Sequence, residues 1–111
     1  MIRITNQEEF KKCCEMCNSI DIESRYLGIS LMDECVEYLN CGKLHVKIEY
    51  FDKSVDMYEW NKFIEIGINN QYYKKFGDDL FHLIFRGCYT TSKGFRLRLI
   101  ENDQSNESRR I

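Results

Sequence analysis

Apolar and polar positions follow recognisable periods along most of this chain, and these periods predict its secondary structure. Residues 1–5, MIRIT, alternate between apolar and polar and predict a short strand. Asn6 with Glu9 three residues later has the form of a helix N-cap. We therefore predict a helix from this point to Cys17, with Asn18 as a left-handed C-cap.

A second helix and a strand are predicted in the middle of the chain. Ser30 is the expected N-cap of the helix, and Gly42 lies just past its end. At about 100° per residue, its apolar side chains fill one arc of the helical wheel. They are Leu31, Met32, Cys35, Val36, Tyr38 and Leu39. Residues 43–51, KLHVKIEYF, then alternate as a half-buried strand does.

The second half of the chain has shorter apolar runs. Residues 52–68 fit both a helix and a strand, and we favour a strand over residues 62–68 because the pair NN follows as a turn. Residues 80–89 and 95–101 predict two strands joined by the turn TTSKG. Asp78 and Asp79 are predicted to lie in a turn before the first of these two strands.

Together these elements predict an α+β fold in which two amphipathic helices pack on a mostly antiparallel sheet. A chain of 111 residues suits a single domain, which we place at residues 1–100. Residues 101–111 have no apolar period and are expected to form a flexible tail. No run of eighteen apolar residues and no signal-peptide pattern is present, so we expect a cytoplasmic protein with reduced cysteines.

Charge is divided unevenly along the chain, although the net charge is only −2. Residues 80–100 contain no acid, and the basic residues of this region are expected on a hairpin that binds an acidic or phosphate-bearing partner. We call them the basic hairpin: Arg86, Lys93, Arg96 and Arg98. The first half is acidic, and its helices are expected to offer carboxylates to a basic partner. We call these the acidic helical surface: Glu8, Glu15, Asp33 and Glu37.

Three cysteines fall within five residues, which raises the question of a chemical site. On a helical wheel Cys13, Cys14 and Cys17 share the apolar stripe of Phe10, so we expect buried thiols that serve as small core residues. A redox pair is disfavoured because Cys14 lies two turns into the helix, beyond the reach of the helix dipole. A less favoured alternative is a structural zinc site, with ligands from this cysteine group and from the residues on either side of Gly42. Its ligands would be Cys14, Cys17, Cys41 and His45.

No catalytic residues are predicted, because His45 and His82 lack a recognisable nucleophile setting and no cofactor motif is present. We therefore expect a non-catalytic protein-binding module without a cofactor. The absence of alanine and proline and the frequency of Phe, Tyr, Ile, Asn and Lys indicate an AT-rich gene, as in phages and mobile elements of low-GC bacteria. The specific expectation is an inhibitor of a host defence system, anti-CRISPR-like, that binds a host protein or nucleoprotein complex. The alternatives are a nucleic-acid-binding regulator that uses the basic hairpin and a small structural-zinc protein.

Overall fold

The structure is a computed structural model that describes residues 2–101, and within them the chain forms four helices and four strands. The helices are α1 (Gln7–Cys17), α2 (Ile22–Cys35), α3 (Trp60–Asn69) and α4 (Phe76–Arg86). The strands are β1 (Leu44–Glu49), β2 (Val55–Glu59), β3 (Cys88–Thr90) and β4 (Arg96–Glu101). The predicted α+β fold class is confirmed, with four helices where the periodicity predicts two.

The strands form one antiparallel sheet in the order β2-β1-β4-β3. Leu44 and Val46 of β1 and Leu97 of β4 are buried in the core that the sheet shares with the helices. The alternate positions of the same strands point to the other face of the sheet, because successive side chains of a strand alternate. The strand predicted at residues 43–51 is thus confirmed as β1, and the one at 95–101 as β4.

Helix α1 follows its predicted boundaries. The Asn6 side chain accepts a hydrogen bond of 3.2 Å from the Glu9 N–H, as expected of an N-cap. The buried residues of α1 are those that the helical wheel predicts: Phe10, Cys13, Cys14 and Cys17. Asn18 is the C-cap as predicted, but the left-handed conformation predicted for it is wrong, since it has φ −85°.

Helix α2 begins and ends earlier than predicted. Asp21, not Ser30, occupies the N-cap position, and the helix ends at Cys35. Val36 is already extended and forms an isolated bridge with Ile4, which is the pairing made by the predicted first strand. Tyr38 has φ 67° and its side chain is 63% exposed, so the predicted apolar arc does not continue through it.

The strand predicted at residues 62–68 is wrong, because these residues lie in α3. The buried residues of α3 recur at helical spacing: Trp60, Phe63, Ile64, Gly67 and Ile68. The alternation of Ile64, Ile66 and Ile68 that favoured a strand is coincidental, since Ile66 is 45% exposed. Residues 55–59, which precede α3, supply the strand β2 instead.

The strand predicted at residues 80–89 is also wrong over most of its length, because α4 continues to Arg86 and only β3 is extended. Asp78 and Asp79, predicted in a turn, lie in the first turn of α4, where carboxylates interact favourably with the helix dipole. Gly87 ends the helix with φ 80°, and its N–H donates to the Leu83 carbonyl. Only β3 and β4 therefore form the predicted hairpin.

Among residues 2–101, one charged side chain has no solvent-exposed surface. Arg25 of α2 is 0% exposed, and its guanidinium donates to the backbone carbonyls of Ser19, Gly67, Asn70 and Tyr73. Two of these carbonyls lie at the C-terminal end of α3, where the helix dipole favours a cation. Arg25 thus joins α2 to the end of α3 and to the loop that leads into α4.

Glu101, which the sequence pattern places in the tail, is the last residue of β4 and pairs with Leu44. The remaining residues of the predicted tail, 102–111, lie outside the described residues. Of the helices within residues 2–101, none is both long enough and apolar enough to cross a membrane.

Candidate functional site

Helices α1 and α4 run side by side in opposite directions and are locked together at one end. The Asn18 side-chain oxygen accepts hydrogen bonds from the N–H groups of Gly77 (2.6 Å) and Asp78 (3.3 Å). Its amide group also donates to the Asp78 carboxylate at 2.9 Å. The Asn18 side chain therefore caps the start of α4, while its backbone N–H caps the end of α1. A Cβ at Gly77 would overlap the Cys14 carbonyl oxygen. Only glycine allows this close approach.

Away from the locked end, a row of three phenyl rings runs from the core to the surface between the two helices. Phe10 stacks on Phe81 with centroids 5.5 Å apart, and Phe81 stacks on Phe85 at 5.2 Å. Phe10 is buried, Phe81 is half-buried and Phe85 is 46% exposed. The outer end of the row is thus an accessible aromatic surface.

Two adjoining concavities lie along this row, and we call them together the α1–α4 groove. The first has a volume of about 250 Å³ and the second about 230 Å³. Lys11 and Phe81 line both of them. The first is also lined by Gln7, Glu8, Phe10 and Phe85, and the second by Cys14, Glu15, Asp78 and His82.

The rim of the groove is mainly acidic. Glu8 and Glu15 are seven residues apart on α1 and therefore lie on the same side of the helix, and Asp78 adds a third carboxylate from α4. Lys11 contributes one positive charge between them. Two residues of the acidic helical surface are thus brought together at the groove.

The other two residues of the acidic helical surface do not line the groove. Asp33 on α2 accepts a hydrogen bond of 2.5 Å from Asn40, and burial raises its pKa. Glu37 follows α2 and its N–H donates to the Arg3 carbonyl. Of the four carboxylates, only Glu8 and Glu15 therefore line the groove.

The thiols near the groove are poorly suited to nucleophilic or redox chemistry. Burial raises the pKa of Cys13 to about 11 and that of Cys17 to about 12, and it raises the pKa of Cys14 as well. A thiol in such surroundings stays protonated at neutral pH, whereas the reactive species is the thiolate.

The four candidate zinc ligands are not brought together. Cys14 and Cys17 are buried, whereas Cys41 is exposed, and His45 is half-buried with Nδ1 3.2 Å from the Lys43 carbonyl oxygen. Within residues 2–101, no group of three or more His, Cys, Asp and Glu side chains is arranged to hold a metal ion.

Helix α4 also carries a buried carboxylate, next to Asp78 in the sequence. Asp79 is 4% exposed and accepts a hydrogen bond from the Tyr73 hydroxyl. Burial raises its pKa to about 6, although Tyr89 and His82 act in the opposite direction. The His82 ring stacks on Tyr89 at 4.8 Å, and its Nδ1 lies 2.7 Å from the Asp78 carbonyl oxygen. These contacts tie α4 to the loop before it and to β3.

The basic hairpin is divided between two parts of the molecule. Arg86 is the last residue of α4 and does not lie on a strand, and Lys93 lies in the turn before β4. Arg96 and Arg98 point to the face of the sheet that is turned away from the core, where the register places Lys47 opposite Arg98. The structure thus places Lys47 of β1 beside Arg98, in addition to the predicted residues.

Sequence reasoning missed Phe81, Phe85 and Lys47. The two phenylalanines are spaced i, i+4, but this signal is lost when residues 80–89 are assigned to a strand. The sequence shows that Lys47 lies on the polar side of β1, but it does not show that Arg98 is opposite, because β1 and β4 are far apart in the chain. Comparisons with protein-family models, with characterised proteins and with solved structures find no match to this chain.

Proposed function

We propose that the protein is a binding module whose α1–α4 groove holds a segment of a partner protein. The segment presents an apolar side chain next to a lysine or arginine. The observation that supports this most directly is the phenyl row, which ends at Phe85 on the surface within a rim of carboxylates.

The shape of the groove favours single side chains over a cofactor. Small-molecule sites usually enclose most of their ligand. The two adjoining concavities, of about 250 and 230 Å³, are instead open to solvent along the helices. Shallow aromatic sites of this kind take one anchoring side chain each, as in the hot spots of protein interfaces.

The charge of the rim favours a basic partner segment. Glu8, Glu15 and Asp78 provide three carboxylates around one lysine, Lys11. Complementary charge of this kind speeds encounter and selects the register of the bound segment. A partner with an acidic segment would be repelled.

The identity of the partner stays a prediction from composition and size. Inhibition of a host defence system through a host protein or nucleoprotein complex is compatible with a groove that binds a basic segment. The proposal for the groove does not depend on that origin.

A displayed library of random peptides, selected against the full chain, tests the proposal. We expect the enriched peptides to share a basic residue beside an apolar or aromatic one. In the variants Phe85→Ser and Glu8→Lys, affinity for a labelled enriched peptide should fall about 10-fold or more, as for an interface hot spot.

The matched controls are Leu27→Ser and Glu23→Lys on α2. Leu27 is 53% exposed, which is close to the 46% of Phe85, and Glu23 is exposed like Glu8. Both controls should keep the wild-type affinity, and a urea unfolding curve should show that all four variants are folded. Enrichment of acidic peptides, or equal losses in test and control variants, would contradict the proposal.

A further inference from the structure

The face of the sheet turned away from the helices carries a group of cations near its centre, and we call it the open sheet face. The register of β1 with β4 places Lys47 directly opposite Arg98. Side chains opposite each other on antiparallel strands have Cβ atoms about 5 Å apart, and like charges at this distance destabilise the sheet. An external anion bound between the two side chains would relieve this repulsion.

No carboxylate shares the row of Lys47 and Arg98 across the four strands. Met57 of β2 is paired with Lys47 on one side, and Cys88 of β3 is paired with Arg98 on the other. Within residues 2–101 neither Lys47 nor Arg98 forms a salt bridge. The two charges therefore have no ion-pair partner among the described residues.

The next row along the strands holds an ion pair that an external anion can replace. Arg96 lies 3.9 Å from Glu49, and their side chains are 75% and 41% exposed. Exposed pairs of this length contribute little to stability. Arg96 is thus available to a phosphate group at small cost, next to Arg98 on the same strand.

Two turns at the same end of the sheet each carry a lysine, and the first also carries Asp52. Lys53 lies in the turn between β1 and β2, and Lys93 in the turn between β3 and β4. Phe51, in the first of these turns, is 71% exposed. The centroid of its ring lies 5.3 Å from that of Phe95, which follows the second turn. An exposed aromatic ring next to cations can stack a nucleobase.

We propose that the open sheet face binds single-stranded nucleic acid, with Lys47, Arg96 and Arg98 on phosphates and Phe51 against a base. A single strand is favoured over a duplex because reading the major groove requires a projecting helix or two-stranded ribbon, whereas this face is a four-stranded sheet. The site lies on the opposite side of the sheet from the helices that form the α1–α4 groove. It is therefore a second surface, and its failure would leave the proposed peptide binding intact.

Fluorescence anisotropy of a labelled oligothymidylate and a labelled oligouridylate tests this proposal between about 50 and 200 mM salt. We expect affinity to fall with salt in the wild-type protein. In the double variant Lys47→Gln/Arg98→Gln the slope of log affinity against log salt should flatten by about 1.4, because each phosphate contact of a single strand contributes about 0.7. Phe51→Ser should weaken binding with an unchanged slope.

The matched control is Lys12→Gln/Lys62→Gln, which removes the same charge from two exposed lysines of the helices. It should keep the wild-type slope. Arg98→Glu should lose binding while its melting temperature stays at or above that of the wild type, since glutamate pairs with Lys47. This result would separate a lost site from a lost fold.

Several outcomes would overturn the proposal: no binding of either oligonucleotide, salt-independent binding, or equal slopes in the two double variants. Tighter binding of a duplex than of the single strand would also contradict it. Competition by polyglutamate as strong as that by the unlabelled oligonucleotide would assign the face to an acidic protein instead.

Discussion

The Arg25 guanidinium donates a hydrogen bond of 2.7 Å to the Gly67 carbonyl, which links two helices through a fully buried cation. Three further carbonyls accept from the same group, and the guanidinium lies 5.8 Å from the centre of the Phe76 ring. Within residues 2–101 no salt bridge balances this charge. Backbone dipoles and the Phe76 ring therefore stabilise it.

Replacing Arg25 by methionine should lower the free energy of unfolding by about 1–3 kcal/mol, because the buried Gly67 carbonyl loses its donor and three part-buried carbonyls lose theirs. Arg25→Lys should also be destabilising, since one ammonium cannot reach acceptors that the planar guanidinium spans. Urea unfolding measures both effects. The exposed control Arg96→Met should change stability by less than about 0.5 kcal/mol, and an equally small effect of Arg25→Met would refute this account.

Gly77 allows α1 and α4 to approach each other at the locked end of the groove. In an unconstrained helix interior, alanine is more favourable than glycine by about 1 kcal/mol. At Gly77 the added Cβ would overlap the Cys14 carbonyl oxygen, so the backbones must separate. Gly77→Ala should therefore destabilise the protein by about 1–3 kcal/mol, as overpacking does.

Thermal unfolding followed by circular dichroism measures this change. Ser30→Ala, at an exposed position of α2, serves as the control and should be neutral or slightly stabilising. A rise in the melting temperature of Gly77→Ala would show that the two helices separate without cost.

Stability should depend on pH through Asp79. Burial raises the pKa of Asp79 from 3.8 to about 6 in the folded protein, so the folded state holds its proton over a range in which the unfolded state has lost it. The resulting stabilisation is complete below about pH 4 and is lost as pH rises through 6. A shift of this size corresponds to at most about 3 kcal/mol.

Asp79→Asn should remove this dependence, because the amide keeps a neutral oxygen for the Tyr73 hydroxyl. The stability of the wild type relative to Asp79→Asn should fall between pH 4 and pH 7, as measured by urea unfolding at each pH. A constant difference across this range would show that the carboxyl group titrates at its ordinary pKa in the folded state.

The six cysteines should divide into two kinetic classes. Cys41 and Cys88 are exposed, whereas Cys13, Cys14, Cys17 and Cys35 are buried and have raised pKa values. In native protein, iodoacetamide should alkylate the two exposed thiols quickly and the other four only after denaturation. Intact-mass analysis counts the alkyl groups added to the protein. Fast alkylation of all six thiols in the folded protein would contradict the burial of these four cysteines.

The helix α1 and the strands β1 and β4 follow their sequence patterns because each has one face in the core and one in solvent. The cap at Asn6 and the cysteine stripe behind Phe10 are local features that one helix suffices to form. The alternation of residues 43–51 likewise places Leu44 and Val46 in the core.

The sequence pattern misassigned α3 and α4 because short apolar runs suit both a buried strand and a packed helix. Phe63 and Gly67 complete a helical stripe with Trp60, Ile64 and Ile68, but a glycine is not counted as apolar in a pattern. Gly67 is buried because the Phe76 ring fills the space where its Cβ would be. That contact is made by a residue from another helix.

What the sequence determined by itself is the α+β class, the capped first helix, the burial of its thiols and the two strands with clear alternation. The tertiary structure decided the rest, because the deciding contacts join residues far apart in the chain. Arg25 has the sequence surroundings of a surface residue, yet Gly67, Asn70 and Tyr73 supply its acceptors. Likewise Lys47 meets Arg98, and Glu8 meets Phe85, only through strand pairing and helix packing, which bring each pair to one surface.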